Sequence, residues 1–240
     1  MLTAEGPIGR LVLFIVEKSL GKLAALSLDK RKKACRVLTR LYYCLQCLDE
    51  ATDQVLEDFE LAGPAESAGI VIASLDEHSY DIEAATNMFL QLGEELHGGL
   101  ELIDPDLAQC CELLYVSKWD FLNAMSGLTV VDRSVVGKPK LTIKLPDDRL
   151  ESVDLEQTYR EFARHKDDQF YWPSSAFSLD RDLSTVTIEW DTEETAHALR
   201  NKIVQQNKLL KEAKERLRAL LKDSFSVEEI LFQSDSHPYR

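Results

Sequence analysis

Glycine and proline are scarce in this chain, ten and seven in 240 residues. An all-β protein needs turn residues about every 8–12 positions, so this economy points to helices. Long hydrophobic runs are also missing. The longest, Leu11 to Val16, is six residues, against the roughly 20 needed to span a bilayer. No charged n-region, apolar h-region and cleavage site open the sequence. The five cysteines (Cys35, Cys44, Cys47, Cys110 and Cys111) are odd in number and sit in apolar-patterned stretches. They do not space like a disulfide framework and read as reduced thiols. A soluble cytoplasmic protein is therefore expected. Glycine-rich phosphate loops, a G-x-S-x-G elbow and an H-E-x-x-H motif are absent. The five histidines are scattered. The chain is expected not to be an enzyme and to carry no cofactor or metal.

Basic residues are the most unevenly distributed. Residues 41 to 127 hold eighteen acids and one base, Lys118, whereas the first forty residues hold nine bases against three acids. The remainder is nearly balanced, and the net charge is −14. Such a split speaks to partners and assembly rather than to fold. The net anionic character disfavours nucleic acid as a partner, since phosphates are repelled.

What is present is helical periodicity. Apolar residues make up 45% of the chain, enough to bury a core. Leu38, Leu41, Leu45, Leu48, Thr52, Val55 and Phe59 step by three and four in alternation. Leu75, His78, Ile82, Ala85, Phe89, Leu92 and Leu96 do the same, as do Ala196, Leu199, Ile203, Gln206, Leu210, Ala213, Leu217 and Leu220. Flanking apolar residues widen each stripe beyond a two-stranded seam, which suits a bundle core.

The punctuation fits the pattern. Pro7 opens a first helix expected to run to about Leu26, and Asp29 reads as the N-cap of a second that stops at Gly63-Pro64. Gly98-Gly99 lies near the end of a third, and Asp104-Pro105 supplies cap and first residue of a fourth, to about Ser126. The expected fold is mainly all-α: an antiparallel four-helix bundle over residues 7–126, then an irregular connector over 127–191. The connector includes an alternating stretch at Leu141 to Leu145 that reads as a short strand or an extended arm on the bundle, a short helix at Leu155 to Ala163, the aromatic loop Gln169 to Ser175, and a β-branched stretch at Leu183 to Trp190 that reads as a second short strand able to pair with the first. A long helix from Thr192 to about Lys222, with a closing turn at Val227 to Phe232, completes the unit at 192–232 and is expected to pack on the bundle. Residues 233–240 read as a loose tail.

Each motif with chemical potential has a plainer explanation. Glu94-x-x-His97 and Glu194-x-x-His197 resemble the spacing of di-iron bundles. Leu96 and Ala196 take the core positions, however, so at about 100° per residue the glutamates lie about 200° away, facing solvent. Cys44-x-x-Cys47 with Cys110-Cys111 has the thiol count of a zinc site, but cysteine is also a small buried hydrophobe. His78, the one ionisable heptad residue, reads either as a pH switch or as a hydrogen-bonded histidine near the bundle end.

Two basic clusters remain. Lys30, Arg31, Lys32, Lys33, Arg36 and Arg40 crowd the start of the second helix, where the macrodipole disfavours cations. Arg200, Lys202, Lys208, Lys211, Lys214, Arg216, Arg218 and Lys222 lie on the last helix, where packing against acidic flanks accounts for them. The functional reading is a protein–protein interaction module, an adaptor, regulatory or assembly subunit. It would contact a partner protein or a second copy through the Lys30–Arg40 cluster and through Phe170, Tyr171 and Trp172. The alternative is a membrane-directed effector of the cell-death or defence type. It would meet an anionic membrane surface through the apolar first helix and the same cluster.

Overall fold

The computed structural model describes residues 5–61, 84, 92, 95–109, 131–132, 140–143, 154–165, 186–189 and 193–234. Within them the protein is mainly helical. The long elements are α1 (Glu5–Ser19), α2 (Leu28–Leu61), α3 (Leu155–Arg164), α4 (Glu193–Ser224) and α5 (Val227–Ser234). A 3-10 turn at Leu23–Ala25 joins α1 to α2, and residues 95–103 and 105–109 are also helical. Three short strands, β1 (Val131–Asp132), β2 (Lys140–Ile143) and β3 (Val186–Glu189), form an antiparallel sheet in the order β1-β2-β3. Leu141 pairs with Val131 on one side and Ile188 on the other.

The core follows the heptads. Leu38, Leu41, Leu45, Leu48 and Thr52 of α2 are buried, as are Leu92 and Leu96 and, on α4, Leu210, Ala213, Leu217 and Leu220. Helix α1 contributes Leu11, Val12, Phe14, Ile15 and Val16, all buried, so that nearly its whole circumference is enclosed. It packs chiefly along α4, and the two backbones meet at Gly9, where a Cβ would lie 3.0 Å from the Leu209 carbonyl. Helices α2 and α4 run antiparallel. Arg31 reaches the end of α4 at Ser224, Asp49 pairs with Lys214, and Asp53 with Lys211 and Asn207, so the numbers ascend on one helix as they descend on the other.

Several boundaries differ from the sequence-based expectation. The first helix starts at Glu5 rather than Pro7, which occupies its first turn, where no N–H bond is lost. It stops at Ser19, seven residues before Leu26. Gly21 adopts φ +78°, a left-handed conformation that terminates helices and that side chains with a Cβ resist. The second helix starts one residue before Asp29. The Ser27 carbonyl accepts the Arg31 N–H at 2.8 Å, so Ser27 occupies the cap position and Asp29 lies inside the first turn.

Gly98-Gly99 does lie near the end of its helix, which continues to residue 103. Gly99 is buried against α2, and a Cβ there would come within 2.7 Å of Val37 Cγ2, whereas one at Gly98 would meet nothing within 4 Å. Gly99 alone of the two marks a close approach of two helices. Asp104 then breaks the helix and caps the next turn, its Oδ1 accepting the Asp106 N–H at 3.1 Å. The short C-terminal helix carries a capping box. Ser226 N–H donates to Glu229 Oε2 at 2.8 Å, and Glu229 N–H donates back to Ser226 Oγ at 3.2 Å. The stop at Gly63-Pro64, positions 75–82 and 85–89 of the third heptad, His78, the fourth helix beyond residue 109 and the tail from 235 lie outside the described residues.

These glycines give opposite predictions for one chemical change. Gly99→Ala should destabilise by about 1–3 kcal/mol, because β-branched Val37 has little rotamer freedom with which to yield. Gly98→Ala should stabilise by about 0.5–1 kcal/mol through helix propensity alone. Urea unfolding of both variants checks the pair, and adding Val37→Ala to Gly99→Ala should recover part of the loss.

Candidate functional site

The six bases at the start of α2 do not form one patch. A helix turns about 100° per residue, so a run from Lys30 to Arg40 must point in several directions. Arg31 points inward to the C-terminal corner. Its Nε donates to Glu229 Oε1 at 2.9 Å, its Nη2 donates to the Ser224 carbonyl, and its guanidinium lies 5.4 Å from the Phe225 ring centre. A cation at the last carbonyl of α4 complements the negative end of that helix. The Arg31 hydrogen bond, then that from Ser226 N–H, holds the Glu229 carboxyl below its usual range. Arg40 pairs with Glu95 across to the 95–103 helix.

Lys30, Lys32, Lys33 and Arg36 remain exposed, with no ion pair among the described residues. Three of them, Lys32, Lys33 and Arg36, lie on the side of α2 opposite Leu38, Leu41 and Leu45. Tyr43 continues that side, one heptad after Arg36, and is 49% exposed. The aromatic loop residues Phe170, Tyr171 and Trp172 lie outside the described residues.

The basic run on the last helix is partly used inside the molecule. Lys211 Nζ donates to Asp53 Oδ1 at 2.7 Å and lies 3.7 Å from Asp49 Oδ1, while Lys214 pairs with Asp49 Oδ2. Asn207 Nδ2 donates to Asp53 Oδ1 at 2.8 Å. Arg216 and Arg218 pair with Glu212 and Glu215 of their own helix. Lys208 and Lys222 are exposed.

The thiols lean away from chemistry. Burial pushes Cys35 up to about 11 and Cys44 up to about 12, and it also raises half-buried Cys47. At neutral pH these are thiols, not the thiolates that attack substrates or ligate metals. Cys110 and Cys111 lie outside the described residues, as do Glu94 and the side chains of Glu194, His197 and Gln206. No group of three or more potential metal ligands occurs among the described residues.

A polar cluster that no sequence spacing signals sits at the α1–α2 corner. Asp104, only 5% exposed, accepts a hydrogen bond from Lys22 Nζ and another from the Tyr159 hydroxyl at 2.5 Å. Lys22 Nζ also donates to the Tyr159 oxygen at 3.1 Å. Beside it, Lys18 lies 5.3 Å from the Phe14 ring centre and 4.9 Å from that of Tyr159, and pairs with Glu156 at 2.5 Å. The two rings meet edge to face at 5.9 Å. Together these contacts fasten α3 to the end of α1.

Burial alone would raise the Asp104 carboxyl and lower the Lys22 ammonium. The hydrogen bonds among the three groups outweigh it, so Asp104 falls below and Lys22 rises above its ordinary value. Burial, then the bond to Asp104, raises the Tyr159 phenol. All three thus keep their ordinary protonation at neutral pH, and no proton is poised for transfer. The cluster is a staple rather than a catalytic site. Residues 22, 104 and 159 come from three elements, and only Asp104 carried a local signal, as a cap.

The chain matches no protein-family model, no curated protein and no solved structure.

The staple gives a pH prediction with a definite sign. A carboxyl held low in the folded state contributes stability that is present above its unfolded value, about 4, and lost as pH falls through the folded one. Asp104→Asn should therefore cost about 1–3 kcal/mol at pH 7, toward the lower end because Lys22 is partly exposed. The difference from wild type should shrink as the pH drops below about 4. Denaturant unfolding of both proteins along a pH series checks this.

Proposed function

We propose that this chain is a non-enzymatic protein–protein interaction module, an adaptor, regulatory or assembly subunit working in the cytoplasm. In this reading an antiparallel four-helix bundle over residues 7–126 forms the platform, a connector with a short β insertion follows, and the long last helix packs on the bundle. The contact surface is the exposed bases at the start of α2, Lys30, Lys32, Lys33 and Arg36, with Phe170, Tyr171 and Trp172 as aromatic anchors of the connector.

One observation carries the reading. Four cations stand exposed in the first turns of α2 without an ion pair among the described residues. Folding stability does not favour the group there, because the positive end of the helix dipole repels Lys30 in the first turn by a few tenths of a kcal/mol, an effect that fades along the following turns. A chain with net charge −14 that keeps such a group on its surface has a use for it outside its own fold. Arg31 and Arg40, by contrast, are engaged within the molecule.

The membrane-effector alternative is weaker. Its apolar helix is α1, whose Leu11, Val12, Phe14, Ile15 and Val16 are all in the core. Releasing them would forfeit on the order of 10 kcal/mol of burial, comparable with the whole stability of a typical domain. No helix among the described residues is long and apolar enough to cross a membrane.

The test reverses Lys30, Lys32, Lys33 and Arg36 to Glu together. Stability should hold or rise slightly, since acids suit a helix N-terminus. Affinity capture from cells of the source organism should lose one discrete partner protein. Neither form should sediment with vesicles rich in anionic lipid. A captured set unchanged by the reversal contradicts the proposal, and vesicle binding lost on reversal would favour the membrane alternative.

A further inference from the structure

The outer side of α2 is basic at one end and acidic at the other. Lys33, Arg36, Arg40, Tyr43, Cys47, Glu50, Gln54 and Glu57 step by three and four, a second heptad stripe opposite the buried one. Lys33, Arg36, Tyr43, Glu50, Gln54 and Glu57 are exposed, and Arg40 and Cys47 are half-buried. Glu50 and Glu57, like Lys33 and Arg36, have no ion pair among the described residues; Glu50 accepts only a neutral hydrogen bond from Gln46 at 2.8 Å. The one large hydrophobic residue exposed on this stripe, Tyr43, stands at the point where the sign changes. Arg36 and Glu50 each lie one heptad from it.

We propose that two copies of this chain associate through the outer sides of their α2 helices, antiparallel about a two-fold axis passing near Tyr43. The inference rests on reading the basic side of α2 as a contact surface, and it names the partner as a second copy. A uniformly anionic partner, whether an acidic peptide or a lipid surface, matches only half of the stripe and is repelled by Glu50 and Glu57. The stripe requires a partner of opposite charge order, and an antiparallel second copy supplies one. In a two-fold contact, residue i meets j while j meets i. Arg36 then faces the partner's Glu50 and Glu50 the partner's Arg36, with Tyr43 against its own copy. Further out, Lys33 comes near Gln54 of the second copy and Asp29 near its Glu57, so the attractive pairs are those between Arg36 and Glu50. Parallel pairing would set bases on bases and acids on acids, which such helix pairs avoid. Arg36 and Glu50 are about 21 Å apart along one helix, so they cannot satisfy each other within a chain.

Sedimentation equilibrium of the full-length chain near physiological salt tests the proposal. The expected result is a monomer–dimer equilibrium that weakens in about 1 M salt, where the screening length falls to about 3 Å. Arg36→Glu and Glu50→Arg should each raise the dimer Kd about tenfold or more. An equimolar mixture of the two variants should recover a dimer, because both cross-pairs are then opposite in sign. The double variant R36E/E50R should recover it as well. A monomer at all concentrations overturns the proposal, as does a dimer indifferent to either reversal or not rescued by mixing. A chain that stays monomeric yet captures a discrete protein through Lys30 to Arg36 overturns self-association and leaves the interaction reading standing.

Discussion

The antiparallel contact of α2 with α4 sets the positions of the other described helices. The shared apolar seam, Leu38 to Leu48 on one helix and Leu210 to Leu220 on the other, supplies the burial. Along its margin a polar row fixes the register: Asp49 with Lys214, and Asp53 with Lys211 and Asn207. Asp49 is almost fully enclosed, so a slip of one turn would strand its charge away from water at a cost of several kcal/mol. With that register set, the end of α4 meets the start of α2, where Arg31 closes the corner through Ser224 and Glu229. Helix α1 then lies along α4. The Lys22–Asp104–Tyr159 staple ties its far end to α3 and to the helical turn after residue 104.

This arrangement gives the charge split of the sequence a physical meaning. Bases of the last helix are opposed to acids of α2 inside the molecule, and Arg40 is opposed to Glu95. The imbalance between the first forty residues and the next stretch is therefore partly an internal matter. Among the exposed charges without an ion pair among the described residues are Lys30, Lys32, Lys33 and Arg36 on the first turns of α2, and Glu50 and Glu57 further along it.

The long elements were legible because burial on one side of a helix imposes a repeat of three and four, and α2 and α4 follow it through Leu38 to Thr52 and Leu210 to Leu220. Local punctuation is less legible, since the same residue serves different physical ends. Gly98-Gly99 has the composition of a stop, but Gly99 is small because Val37 lies against it. Gly21, which does end a helix, stands within a run that is helical in composition. Asp29 and Ser27 are both competent caps, and only the backbone hydrogen bond from Arg31 distinguishes them. The Lys22–Asp104–Tyr159 cluster was invisible because its members meet only after three elements have folded together. The division of the basic cluster was in principle readable: a heptad count separates Arg31, on the α5 side, from Arg36, on the outer side.

The polar row between α2 and α4 takes up charge inside the fold and holds the register of the two helices. A double-mutant cycle on Asp49→Asn and Lys214→Met, read by denaturant unfolding, tests it most directly. The expected coupling is about 1–3 kcal/mol, as for a largely enclosed pair. A coupling within about 0.3 kcal/mol of zero, as many exposed pairs give, would contradict it.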